Sequence, residues 1–134
     1  MNAFASEISA IPPGSDGLRL SPLMTGSRVP DWRADERGLV WGQDISHGRA
    51  HFLKAVQEAA AYVVRDTIDR LAGGSGPALP VLIAGGVTRS DVVTQLRADV
   101  LGRPVIAFAE PDVSLQGAAM VAHVVAGTYD SPVV

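Results

Sequence analysis

The feature that most constrains this sequence is a run of five residues, 80–84, in which every residue is apolar. A strand without a polar side has to be buried on both faces, as in a parallel sheet. Gly85 and Gly86 follow at once, and a helical pattern opens behind Thr88 or Ser90, either of which can act as its N-cap. The run therefore predicts a buried strand that turns sharply into a helix.

The rest of the chain repeats this alternation. Residues 38–42 and 104–108 read as two further strands, and residues 47–71 and 114–127 as helices whose N-caps are Ser46 and Ser114. The long helix has an apolar and a polar side. We expect the first to face the core (Leu53, Val56, Ala60, Val63, Ile68, Leu71) and the second to face solvent (Lys54, Glu58, Arg65, Asp69).

The order of these elements predicts the fold class. Residues 1–36, of which 1–30 are rich in proline, glycine and serine, predict an irregular segment with at most a short extended piece at residues 18–20. Residues 37–130 form the domain and residues 131–134 a tail. Within the domain the order is β-α-β-α-β-α, which indicates an α/β fold with right-handed crossovers and a largely parallel sheet flanked by the helices. About three strands leave two open edges, so the fold looks incomplete.

Composition excludes several classes of function. The 134 residues are 47% hydrophobic and 19% charged, with a net charge of -3 and no basic run, which argues against nucleic-acid binding. There is no cysteine, so disulfides and thiolate zinc sites are excluded. No apolar stretch approaches the ~20 residues of a membrane helix. These properties fit a cytoplasmic protein without a membrane partner.

The candidate ligand site lies where the apolar run ends. In open α/β sheets, ligands bind at the carboxyl ends of the strands. Gly85 and Gly86 let the backbone approach a bulky ligand, the start of the following helix offers N–H donors, and Ser90 adds a hydroxyl. A nucleotide fits such a surface. The alternative is a plain tight turn, since neither a dinucleotide fingerprint nor a phosphate-binding P-loop is present.

Two histidines form a second candidate. His47 and His51 lie four residues apart and share a helix face, a spacing that can hold a metal ion. The intervening residues lack the glutamate of a metalloprotease helix, and no third ligand is evident. The pattern favours a structural pair instead, in which one histidine packs or caps and the other is solvated. Trp32 and Trp41 are likewise predicted to be packing residues.

Three stretches together resemble a known family. Residues 17–30 (GLRLSPLMTGSRVP) are similar to a family loop written GLLFLPYLSGERTP, and residues 37–58, with SHGRAHF, to a signature written SHTRAHLLRAVLEG. Residues 84–105 and 117–119 are similar to GGGARSPLWRQILADVLGRPV followed by GAALLA. On these motifs the chain resembles the C-terminal domain of FGGY-family carbohydrate kinases. The motif sequences are most similar to those of xylulokinase-like members.

The resemblance implies a partial ribonuclease-H-like, actin-like ATPase fold and the use of ATP with Mg²⁺. It assigns Gly85, Gly86 and Ser90 to the adenosine of ATP. Ala84 replaces the first family glycine, Ser27 replaces a glutamate, and Ser90 stands where some members have asparagine. The resemblance also places the sugar, the catalytic aspartate and a Gly-Thr-Ser phosphate loop in parts that this sequence lacks. It therefore implies no catalytic residue here, a sugar reached through an absent N-terminal domain, and an inactive isolated chain.

Missing sheet partners carry a stability cost. Each buried, unsatisfied backbone group would lower the free energy of unfolding by about 1–3 kcal/mol. The free energy of unfolding of a whole small domain is only about 5–15 kcal/mol. We therefore expect a marginal fold that forms homo-oligomers through open strand edges or needs a partner chain. Two alternatives stay open at this point: a non-catalytic nucleotide-binding or assembly module, and an unrelated small α/β binding domain.

Overall fold

A computed structural model describes residues 3–28, 31–71, 79–109 and 112–131. This part of the chain contains four α-helices and four short strands. In chain order they are α1 Ala3–Ser9, β1 Arg19–Ser21, β2 Leu39–Trp41, α2 Arg49–Leu71, β3 Val81–Ile83, α3 Asp91–Leu101, β4 Val105–Ala107 and α4 Val113–Val125. The predicted alternation of strands and helices is confirmed from β2 onward. The predicted tail, residues 131–134, lies outside the described residues except for Ser131.

The strands form two separate pairs in the described residues. β1 and β2 are antiparallel, with Leu20 opposite Val40, whereas β3 and β4 are parallel, with Leu82 opposite Ile106. The prediction of one largely parallel sheet flanked by all the helices was therefore wrong. The difference is due to β1. This short strand of the N-terminal segment pairs with β2 and runs antiparallel to it.

The apolar run is less buried than predicted. Leu82 is 61% exposed and its register partner Ile106 is 50% exposed, while Val81 and Ile83 on the other side of the pair are half-buried. Side chains alternate between the two faces of a strand, so one face of the β3–β4 pair is covered and the other is bare. The prediction of burial on both sides was wrong for this chain.

The core lies between α2, α3 and the N-terminal segment. α2 buries Ala55, Ala59 and Ala61 rather than the larger residues of the predicted stripe, of which Val56 is 41% and Leu71 82% exposed. α3 buries three apolar residues, Val93, Leu96 and Leu101. Small side chains on α2 let its neighbours pack close to its backbone, and this closeness decides which face of the helix is buried.

The N-terminal segment contains one helix that was not predicted, α1, whereas the predicted extended piece at residues 18–20 is confirmed by β1. α1 packs Ala5 and Ile8 into the core, where they are 5% and 1% exposed. Arg49 at the start of α2 forms an ion pair with Glu7 of α1 at 3.1 Å. A turn at residues 14–17 then leads into β1. The segment is part of the fold because it covers a face of α2.

The turn at residues 14–17 has an unusual backbone. Gly14, Ser15, Asp16 and Gly17 have φ angles of 84°, 51°, 52° and 93°, so four consecutive residues are left-handed. The two that are not glycine cost about 1 kcal/mol or more each in this conformation. Such a turn persists only where its surroundings impose it.

Glu58 of α2 supplies one of those surroundings. Its Oε1 accepts a hydrogen bond from the backbone N–H of Gly14 at 2.8 Å, and its Oε2 accepts one from the Ser15 hydroxyl at 2.8 Å. Glu58 is 6% exposed and Ser15 is fully buried. The prediction that Glu58 faces solvent was wrong, because the turn brings two donors to its carboxylate.

Helix starts follow local hydrogen bonding. Ser90 caps α3, accepting a hydrogen bond from Val93 N at 3.4 Å, as predicted. Ser46 was wrongly predicted to cap α2, since its hydroxyl donates to Asp44 Oδ1 at 2.6 Å and the helix begins at Arg49. The Ser46 hydroxyl and backbone N–H hold the pKa of the Asp44 carboxyl below its ordinary value. Ser114 was also wrongly predicted as a cap, because α4 begins at Val113.

Candidate functional site

The predicted ligand site, residues 84–90, which we call the shelf, is a turn between β3 and α3. Gly85 follows β3 with φ 90° and ψ -169°, a conformation that glycine adopts at no steric cost and other residues avoid. A short 3₁₀ turn, Gly86–Arg89, leads to Ser90 and α3. Thr88 donates to the Gly85 carbonyl twice, from its backbone N at 3.0 Å and from Oγ1 at 2.9 Å. These bonds fix the strand-to-helix turn.

The shelf is open above its two glycines. A Cβ atom built on Gly85 or on Gly86 meets no other atom within 4 Å. The backbone conformation accounts for glycine at position 85, but the φ angle of Gly86 is not in the left-handed region. Neither conformation nor crowding among the described residues therefore explains glycine at position 86.

Two other glycines differ from Gly86 because backbone atoms of the chain lie close to them. A Cβ on Gly26 would lie 2.6 Å from the Arg33 carbonyl oxygen, and one on Gly42 would lie 2.4 Å from the Gly17 carbonyl oxygen. The folded chain itself requires glycine at both positions. Gly86 differs because the space above it is free and exposed to solvent.

Ser90 already has a structural role as the N-cap of α3. Its oxygen accepts the bond from Val93, so its hydroxyl hydrogen can still be donated to a ligand. The positive end of the α3 dipole lies at the same point. The three predicted site residues thus lie within six positions on one turn, and their contact with a nucleotide stays a prediction.

The histidine pair is a capping arrangement. The backbone N–H of Asp44 donates to Nδ1 of His47 at 2.9 Å, and that of Gly48 donates to Nδ1 of His51 at 3.1 Å. A metal-bound histidine normally donates a hydrogen bond through its second nitrogen, whereas both rings here accept one. Within the described ranges, no three side chains suited to metal binding come together. Both rings accept a backbone N–H, and their side chains are 1% and 17% exposed, so the prediction that one of the two is solvated was wrong.

The tryptophans do not pack within this chain. Trp32 and Trp41 are 72% and 70% exposed, so the prediction that they are packing residues was wrong. Leu39 and Val40 of β2 are also exposed, at 58% and 45%. Leu39, Val40 and Trp41 therefore make β2 an apolar strand whose side chains are largely exposed in the described residues.

Comparison with known proteins identifies the family. The model of the C-terminal domain of the FGGY family of carbohydrate kinases matches residues 3–126. The chain belongs to this family. The match begins in α1, which agrees with the ordered N-terminal segment of this FGGY domain.

Curated relatives and solved structures agree with this assignment. The glycerol kinase of Beijerinckia indica is 36% identical over 128 residues, which are 95% of this chain and 25% of the relative. The crystal structure of xylulose kinase from Rhodospirillum rubrum has a TM-score of 0.73 and 32% identity, covering 92% of this chain and 25% of that one. Ligand-bound xylulose kinase from Lactobacillus acidophilus has a TM-score of 0.78 at 26% identity, covering 96% of this chain and 26% of that one.

These comparisons also show how much of each relative the chain covers. The chain spans about a quarter of the length of the curated relatives that it matches. The predicted resemblance to xylulose kinases is confirmed among the structures, and glycerol kinases share the family. The predicted actin-like, ribonuclease-H-like class is likewise that of the structural neighbours. None of the helices in the described residues has the length and hydrophobicity required to cross a lipid bilayer.

Proposed function

We propose that this chain is the nucleotide-binding portion of an ATP-dependent kinase that transfers the γ-phosphate of ATP to a hydroxyl group of a small polyol or sugar. The observation that carries the proposal is Gly86 at the turn from β3 into α3, where the described fold does not itself require a glycine. Gly48 and Gly117 also have free space, but neither follows a strand of the β3–β4 pair. A nucleotide lying across the shelf gives position 86 a reason to lack a side chain.

The residues of the shelf suit the nucleoside end of ATP. Gly85 and Gly86 present bare backbone, Ser90 has a hydroxyl hydrogen to donate, and the start of α3 is electropositive. ATP supplies the phosphoryl group when it is bound. Mg²⁺ is held in this proposal by the nucleotide phosphates and by the part of the kinase outside this chain.

The acceptor is proposed from the relatives. Glycerol kinase and xylulose kinase are each named for a small polyhydroxylated substrate. The sugar site, the catalytic base and the phosphate loop belong in this proposal to an N-terminal portion outside this chain. A cytoplasmic location is part of the same proposal. The competing function is a non-catalytic module that binds nucleotide weakly or only assembles with other chains.

Gly86→Val tests the shelf. The valine side chain enters the free space above the shelf, so we expect the chain to fold and the Kd for Mg-ATP in isothermal titration calorimetry to rise about tenfold or more. Gly48→Val is the matched control, because position 48 also has free space and lies in another part of the chain. Equal affinity in both variants contradicts the shelf. If the folded wild-type chain gives no heat in calorimetry and no thermal shift with Mg-ATP, nucleotide binding is excluded. The competing function, a module that only assembles with other chains, is then the one supported.

Homo-oligomers through open strand edges remain a prediction, and the bare face of the β3–β4 pair offers a second surface for self-association. Leu82 and Ile106 are exposed register partners, so lysine at both positions places two like charges side by side without disturbing the core. We expect Leu82→Lys/Ile106→Lys to weaken association by about tenfold or more in sedimentation velocity. Val125→Lys, on an 83% exposed apolar residue of α4, is the control. Unchanged association in the double variant contradicts this interface.

A further inference from the structure

Arg89 is the only charged residue of the shelf. It lies three positions after Gly86 and directly before Ser90, and it is exposed. The phosphates of a nucleotide are negatively charged, and the chain itself has a net charge of -3. A cation at the shelf offsets the resulting repulsion, so Arg89 has the charge that the proposed ligand requires there.

The 3₁₀ turn places Arg89 on the same side of the backbone as Gly86. In a 3₁₀ turn the side-chain positions of residues i and i+3 eclipse each other. Gly86 and Arg89 are the first and last residues of this turn, and both are exposed. The Arg89 side chain therefore begins beside the free space above Gly86, where the nucleotide is proposed to lie.

The backbone that carries Arg89 is held on both sides. Thr88 donates to the Gly85 carbonyl oxygen from its backbone N–H at 3.0 Å and from its hydroxyl at 2.9 Å. Ser90, on the other side, caps α3. Because the turn is already fixed, a ligand that binds Arg89 has to order only the arginine side chain, which keeps the entropic cost of binding low.

Arg89 is also free of competing contacts in the part of the chain that the structure describes. Three arginines of α2, by contrast, form ion pairs with acidic side chains: Arg49, Arg65 and Arg70. Arg89 forms no hydrogen bond or ion pair with any described residue. Asp91, two positions away in the first turn of α3, lines a cleft of about 510 Å³ between α2 and α3 instead. The Arg89 guanidinium can therefore bind a ligand without giving up an existing bond.

Phosphate is the group that suits this guanidinium. Its planar fork donates two parallel N–H bonds to two oxygens of one phosphate, and such charge-assisted bonds are stronger than bonds between neutral groups. Since the side chain begins on the surface that is proposed to hold the nucleoside, the nearest phosphate is the one bonded to the ribose. The β- and γ-phosphates lie farther along the nucleotide.

We propose that Arg89 binds the phosphate next to the ribose, so that the shelf recognises a nucleotide rather than a nucleoside. This inference rests on the proposed function and extends it by one residue and one contact. Gly85 and Gly86 provide the surface, Ser90 provides a hydroxyl, and Arg89 provides the charge that selects a phosphorylated ligand.

Calorimetric titration of the chain with adenosine monophosphate and with adenosine tests the contact, because the two probes differ only in this phosphate. We expect the wild-type chain to bind the monophosphate about tenfold more tightly than adenosine, the effect of one hydrogen bond to a charged group. In Arg89→Gln, the Kd for adenosine should stay unchanged and the Kd for the monophosphate should rise to about the same value. Arg89→Lys keeps the charge but not the fork, and should keep part of the preference.

Arg19→Gln is the matched control. Arg19, on β1, is also exposed and unpaired among the described residues, so the substitution removes the same charge far along the chain from the shelf. It should keep the preference for the monophosphate. Equal wild-type Kd values for the two probes, or a preference that persists in Arg89→Gln, overturn the role of Arg89 and leave the nucleotide site in place. A folded wild-type chain that binds neither probe nor Mg-ATP overturns the proposed function and this contact together.

Discussion

Glu58→Ala is expected to lower the free energy of unfolding by about 3 kcal/mol. The substitution leaves the Gly14 N–H and the buried Ser15 hydroxyl without an acceptor, and each unsatisfied buried donor costs about 1–3 kcal/mol. It also removes a support of the left-handed turn. Urea unfolding followed by circular dichroism measures the effect.

Glu7→Ala is the matched control for this measurement. Glu7 pairs with Arg49 at 3.1 Å, but the two side chains are 30% and 75% exposed, so the loss should stay below about 1 kcal/mol. Glu58→Gln keeps the shape of the side chain and one acceptor oxygen, and should fall between the two. A Glu58→Ala chain as stable as Glu7→Ala would show that the buried carboxylate does not hold the turn.

The second large effect concerns activity. We expect the purified chain to release no ADP from ATP in the presence of glycerol or D-xylulose, at a rate at least about 10⁶-fold below that of a complete kinase. Phosphoryl transfer requires the γ-phosphate, the metal ion and the acceptor hydroxyl to be positioned together. The shelf at Gly85, Gly86 and Ser90 addresses only the nucleoside end of ATP.

A coupled assay of ADP release makes the comparison. The glycerol kinase of Beijerinckia indica, of which this chain matches 25%, is the positive control. Calorimetry with Mg-ATP on the same sample checks that the chain is folded and binds nucleotide. If turnover scales with the concentration of this chain and disappears in Gly86→Val, the proposal that phosphoryl transfer requires a portion outside this chain is contradicted.

Several features set by neighbouring residues were predictable from the sequence, although the helix caps assigned to Ser46 and Ser114 were not. The strand at residues 80–84, the glycine turn and the Ser90 cap all depend on contacts within a few positions, and each was predicted correctly. Gly102 ends α3 with a φ of 63° for the same kind of reason. The location of the candidate shelf was available from the sequence because one local turn builds it.

Features set by distant residues were not predictable. Glu58 is buried because Gly14 and Ser15, 44 and 43 positions away, bring donors to it. A helical pattern ranks side chains by hydrophobicity and therefore placed this carboxylate in solvent. The antiparallel pairing of β1 with β2 was missed in the same way, because the predicted extended piece at residues 18–20 did not reveal which strand it would pair with.

Helix α2 has a consequence for the order in which this domain is built. α1, the left-handed turn, β1 and α3 all pack against α2. A ribosome delivers residues 3–21 before the helix that they need, so this N-terminal stretch has to wait for its docking surface during translation. A pause in synthesis before residue 58 would therefore leave residues 3–21 without their main attachment, the Glu58 carboxylate included.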